Sequence, residues 1–166
     1  MAEIVGLAAS IVQLGGAGVK LSIELHNFIT ATARADKDVL DLAEDLDTTS
    51  STLDHVGSTL RARHIRPLAS PKAIEHATKI VHRCETVFKE VQDILKKRQT
   101  VNKQGDTVFT LAGKLSWPFE KEKVELLRRR LESLKLDLSL LLDVLHLAQG
   151  ELQRWLSLAA LVPLQG

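Results

Sequence analysis

The sequence predicts an all-α protein, an up-down-up-down four-helix bundle of long amphipathic helices with a short C-terminal helical extension. Three observations carry that expectation. Four segments space their apolar residues alternately three and four apart, helix-breaking residues separate the segments, and a chain of 166 residues is long enough to bury one core without disulfides or metals. Spacing of three and four lines up side chains along one side of a helix, whereas a half-buried strand would alternate every second residue.

The first stripe runs Ile4, Leu7, Ile11, Leu14, Gly18, Leu21, Leu25, Phe28 and predicts a helix over about 3–32. A second apolar line, Val5, Val12 and Val19, lies beside it. No residue from Ile4 to Val19 is charged. That run is shorter than the roughly 18 to 20 apolar residues needed to span a bilayer, and Lys20 ends it, so a constitutive transmembrane helix is not expected. Within the run, Gly15-Gly16-Ala17-Gly18 costs ~1 kcal/mol for each glycine relative to alanine if helical. Two explanations stand: close approach of a neighbouring helix or a kink, or a hinge that lets the first half of the helix leave the bundle.

The second stripe, Val39, Leu42, Leu46, Thr49, Leu53, Val56 and Leu60, predicts a helix over about 36–64 with Asp36 as its N-cap. The third, Ile74, Ala77, Val81, Cys84, Phe88, Val91 and Leu95, predicts one over 71–98, opened by Ser70 as cap and Pro71 in the first turn. Residues 99–117 then form a small hairpin or a loop around Gln104-Gly105-Asp106. The fourth stripe, from Val124 through Leu127, Leu131, Leu134, Leu138, Leu141, Leu145 and Ala148 to Leu152, predicts a helix over 118–149 opened by Ser116-Trp117-Pro118. Leu136, Leu140, Leu142, Val144 and Leu147 cover most of the remaining surface of that segment, which predicts that the first and fourth helices form the centre of the bundle. Residues 150–166 either continue the fourth helix or kink into a fifth, until Pro163 stops it. Each of the four helices is ~42 to 48 Å long at ~1.5 Å per residue, and the short connections near 33–35 and 65–70 predict antiparallel neighbours within a bundle spanning 1–149.

With four Phe, two Trp and no Tyr, the core has to be aliphatic. Lys and Arg number 22 against 21 Asp and Glu, a net charge of +1 that argues against a nucleic-acid partner. Charge is nonetheless segregated. Asp36, Asp38, Asp41, Glu44, Asp45, Asp47 and Asp54 stand against Lys37 alone, while Lys96-Lys97-Arg98 end the third helix, an arrangement that complements helix dipoles. Arg61, Arg63 and Arg66 fall at the end where the apolar N-terminus begins, and an apolar segment beside cations is the composition of a contact with anionic lipid.

No catalytic residue, cofactor or metal site is expected. The single Cys84 excludes an intramolecular disulfide and reads as a core thiol on the third stripe. The six histidines lack ligand spacing, the lone Asp143-x-x-His146 falls short of a di-iron pattern, and no glycine-rich loop follows a strand. Met1-Ala2-Glu3 lacks the basic flank of a secretory signal, so a cytoplasmic location is expected.

Met1-Ala2-Glu3-Ile4-Val5-Gly6-Leu7-Ala8-Ala9-Ser10-Ile11-Val12-Gln13-Leu14, Cys84-Glu85-x-x-Phe88, and Leu115-Ser116-Trp117-Pro118-Phe119 followed by Glu125-Leu126-Leu127 together resemble the HeLo-like N-terminal domain of fungal cell-death proteins. That family is itself similar to the four-helix executioner domain of necroptosis-type proteins. The resemblance spans nearly the whole chain. It implies a helical effector of regulated cell death that self-associates, driven by an upstream receptor or an amyloid-signalling partner, and moves from the cytoplasm to lipids of the plasma membrane. On that basis Ile4, Val5, Leu7, Ile11, Val12, Leu14 and Val19 would enter the membrane, Gly15, Gly16 and Gly18 would form the hinge, and Arg61, Arg63 and Arg66 would meet anionic headgroups. The alternative is a soluble adaptor that binds partner helices without membrane activity.

Overall fold

Each of the four apolar stripes becomes the buried side of a helix in the computed structural model, which describes residues 2–32, 37–62, 70–110 and 121–161. Among these residues the helices are α1 (Ala2–Ala31), α2 (Lys37–Arg61), α3 (Pro71–Lys96) and α4 (Lys121–Leu161). Between α3 and α4 stands one antiparallel hairpin, β1 (Gln99–Val101) and β2 (Thr107–Phe109). The protein is all-α apart from that hairpin. The caps expected at Asp36 and at Ser116-Trp117-Pro118 lie outside the described residues.

Local chemistry explains the helix ends. Ser70 caps α3, its hydroxyl accepting the Ala73 N–H at 3.2 Å, and Pro71 follows in the first turn, where a missing N–H costs nothing. The helix ends at Lys96 instead of residue 98, because Arg98 turns inward. Only 3% exposed, Arg98 donates from Nη1 to the Ile94 carbonyl at 2.6 Å, so the basic surface there is Lys96 and Lys97 alone. The Arg98 carbonyl accepts the Thr110 N–H at 2.9 Å, which ties the hairpin to the end of α3. In the turn, Gly105 takes φ 88°, a left-handed conformation open to glycine, and the Asn102 side-chain oxygen accepts the Gln104 and Asp106 N–H groups. Phe109 then meets Phe28 of α1 edge-on at 4.9 Å between ring centres.

Of the two courses expected for residues 150–166, α4 takes the continuous one as far as Leu161. It runs 41 residues without a break through Gly150. Gly150 does not adopt the left-handed conformation that would cap the helix, and the leucines, alanines and glutamate around it are strong helix formers.

One core joins all four helices, with Leu25, Leu42, Leu53, Leu95 and Leu131 among its fully buried side chains. The main packing partners are α1 with α2, α1 with α3, α2 with α4 and α3 with α4. α1 and α4 therefore do not make the centre together. The second apolar line of α4 faces outward, with Leu136 65% and Leu147 71% exposed and Leu140 and Val144 exposed beside them; only Leu142 packs against the core. The physical reason is angular. The stripe from Val124 to Leu145 already fills the interior, and the second line lies on the other side of the same helix.

Charge fastens α2 to α4. Asp38 pairs with Lys121, Asp41 with Arg128, and Asp45 with both Arg128 at 3.2 Å and Lys135 at 2.8 Å. Between α3 and α4, Arg83 pairs with Asp137 and Glu90 with Arg130. Three of the acidic residues of α2, Asp38, Asp41 and Asp45, thus meet a basic line on α4, in addition to any effect on the helix dipole.

Candidate membrane-interaction surface

α1 carries two apolar faces with different fates. Ile4, Ala8, Ile11 and Leu14 are buried, Leu7 is partly buried, and Leu21, Leu25 and Phe28 continue the core face. Val5 and Val19 are 46% and 40% exposed. Val12, between them, is half-buried because it sits over Gly57 of α2. The structure thus divides the expected membrane-entering residues into a core set and an exposed set, and adds exposed Ile23 in line with Val5 and Val19. By length and composition α1 could cross a membrane from Glu3 to Ala31, with 33% of its most apolar window buried. A core helix meets the same measure. The apolar character of the helix thus continues past Lys20, beyond the uncharged run from Ile4 to Val19.

The glycines of α1 separate in the same way. A Cβ at Gly15 would lie 3.2 Å from the Ser50 carbonyl, and one at Gly18 would lie 2.7 Å from the Phe88 ring and closer still to Ser50 Oγ. Close approach by α2 and α3 is reason enough for both. Gly16 has open space around it and lies on the exposed side, so packing supplies no reason for glycine there. α1 is helical through all three.

Several features converge at the end where α1 begins. Ile4 and Leu7 line a small apolar cavity of about 10 Å³ together with Leu60, Ile74, Leu141 and Leu145. Arg61, next to Leu60, is exposed in the last turn of α2; Arg63 and Arg66 lie outside the described residues. Among the described residues Leu145 is the last buried one of α4; Leu152 is still half-buried, and from residue 153 to 160 every side chain is exposed, Trp155 (72% exposed), Leu156 and Leu158 among them. Sequence reasoning passed over these three. Their signal was the scarcity of charge between Gly150 and Leu161, where only Glu151 and Arg154 interrupt an apolar helix.

The Cys84 thiol is buried, and burial pushes its pKa up to about 12, far from the thiolate a nucleophile needs. Among the described residues no three His, Cys, Asp or Glu side chains gather as metal ligands. No protein family, curated protein or solved structure gives a significant match to this chain.

Proposed function

We infer that the chain is an up-down-up-down helical bundle that acts as a membrane-targeting effector, inducing regulated cell death when oligomerised. The contacts support the topology. Ser22 reaches Ala43, Gly15 faces Ser50 and Gly57 faces Ala8, so α1 and α2 run in opposite directions, and the Arg83–Asp137 and Glu90–Arg130 pairs give the same relation for α3 and α4. The observation that carries the function is α1 itself: one helix of spanning length with a core face and an exposed apolar line of Val5, Val19 and Ile23. Resemblance to HeLo-like domains supports the same reading.

In this account the folded protein is cytoplasmic and keeps the larger apolar face of α1 against α2 and α3. Self-association, driven by an upstream receptor or an amyloid-signalling partner, lowers the cost of releasing that face. The plasma membrane then accepts α1, while Arg61 at the neighbouring end of α2 meets anionic headgroups together with Arg63 and Arg66. A second reading, a soluble adaptor that docks helices of other proteins, is favoured by the outward apolar line of α4.

Liposome sedimentation separates the two. The protein is fused to an inducible oligomerisation module and mixed with anionic or neutral vesicles. The effector reading expects binding to anionic vesicles on induction; no binding to either, with oligomers formed, assigns the adaptor role.

A further inference from the structure

We propose that a second copy of this chain docks antiparallel along the projecting part of α4, through a seam centred between Leu152 and Gln153. Leu147 and Leu158 stand eleven residues apart on the outward face, with Glu151 and Arg154 between them and all four exposed. Eleven residues make close to three whole turns, so the two leucines point the same way from a straight helix. Glu151 and Arg154 carry the only charges between Leu147 and Leu158, and they are opposite in sign.

That charge pattern selects both the partner and its direction. A parallel copy in register would set Glu151 beside Glu151 and Arg154 beside Arg154, a repulsive arrangement. Turning the copy end for end about the point between Leu152 and Gln153 sets Glu151 against Arg154 of the partner, twice by symmetry, and each Leu147 against Leu158 of the other chain. Such a two-fold contact uses one patch twice and closes on itself. The projection supplies the room. Among the described residues the last buried one of α4 is Leu145, so the two cores would be separated by about 22 Å along the paired helices at ~1.5 Å per residue. The contact involves none of the outer face of α1 and stands independently of the membrane reading.

Charge reversal tests the pairing. Sedimentation equilibrium of the purified protein without lipid measures the dimer constant for the parent, Glu151→Arg, Arg154→Glu and the double reversal. All three changes are at exposed positions, and circular dichroism checks the helix. We expect each single reversal to weaken dimerisation about tenfold or more, and the double reversal to restore it to within about threefold of the parent. A parent that stays monomeric at high micromolar concentration overturns the proposal. So does a double reversal no better than the singles. Sedimentation of the monomer with neutral phosphatidylcholine vesicles, lost in Trp155→Ala, would assign the face to lipid and also overturn it.

Discussion

Val12 of α1 sits directly over Gly57 of α2: a Cβ added at Gly57 would lie 2.6 Å from Val12 Cγ2 and 3.3 Å from the Ala8 carbonyl oxygen. The valine is β-branched and stiff, and the carbonyl belongs to a helix backbone, so neither yields easily. Gly57→Ala should therefore lower the melting temperature, although alanine favours a helix by ~1 kcal/mol, because overpacking costs ~1 to 3 kcal/mol. Gly16→Ala, in open space, should raise it by the equivalent of ~0.4 to 1 kcal/mol. Thermal melts of the two variants should move in opposite directions; a shared direction would mean that the close approach of α1 and α2 is wrong.

The core predicts larger losses. Leu53 and Leu131 are fully buried, one in α2 and one in α4. Leu53→Ala and Leu131→Ala should each cost ~2 to 5 kcal/mol in urea unfolding, the transfer term plus a residual cavity. Losses under ~1 kcal/mol at both would place these stripes in solvent.

Asp45 gathers two cations, Arg128 and Lys135, at a partly buried junction of α2 and α4. Asp45→Asn should destabilise by about 1 kcal/mol at low salt, since each partly exposed pair contributes at most about that much. The deficit should shrink as salt is added, because screening already weakens the parent's pairs. Urea titrations of both proteins at low and high salt measure this, and a deficit independent of salt would contradict it.

How much of this was legible without coordinates depends on what periodicity can encode. The stripes of α1 to α4 identify which residues turn inward, and Ser70-Pro71 marks a helix start through its own local chemistry. Periodicity does not name the neighbour. Leu136 and Leu147 read as interior because they are leucines on an already apolar helix; their exposure follows from α4 packing on α2 and α3. Lys121, Arg128 and Lys135, seven residues apart, were a readable basic line, but its match to Asp38, Asp41 and Asp45 required knowing that α2 lies alongside. Gly57 gave no signal, being a single glycine whose meaning lies in Val12 of another helix. On the candidate membrane surface, the apolarity of α1 was visible and the division between Ile4, buried, and Val5, exposed, was visible only in part, as two adjoining lines.

Cys84 predicts an alkaline dependence. Burial raises the folded thiol from 9.0 to about 12, so between those values the unfolded chain has released a proton that the folded chain keeps. Stability should therefore fall above pH ~9 with a slope of about 1.4 kcal/mol per pH unit from this group. From about pH 8 to about pH 10.5 the parent should lose about 2 kcal/mol more than Cys84→Ala, whatever the offset from the variant's smaller side chain. Equal losses would place the thiol in contact with water.

The most direct test of membrane action by α1 compares dye release from anionic vesicles by the induced oligomer of the parent and of Val5→Glu with Val19→Glu. Both valines are exposed, so circular dichroism and melting should match the parent. An acidic side chain near mid-bilayer costs ~2.5 to 3.5 kcal/mol on insertion scales, a cost that falls on Val19→Glu near the middle of the span, while Val5→Glu near its end adds a smaller one. The account predicts a folded double variant that oligomerises but releases little dye. A folded double variant that releases dye as fast as the parent, or a parent that oligomerises and releases none, would contradict it.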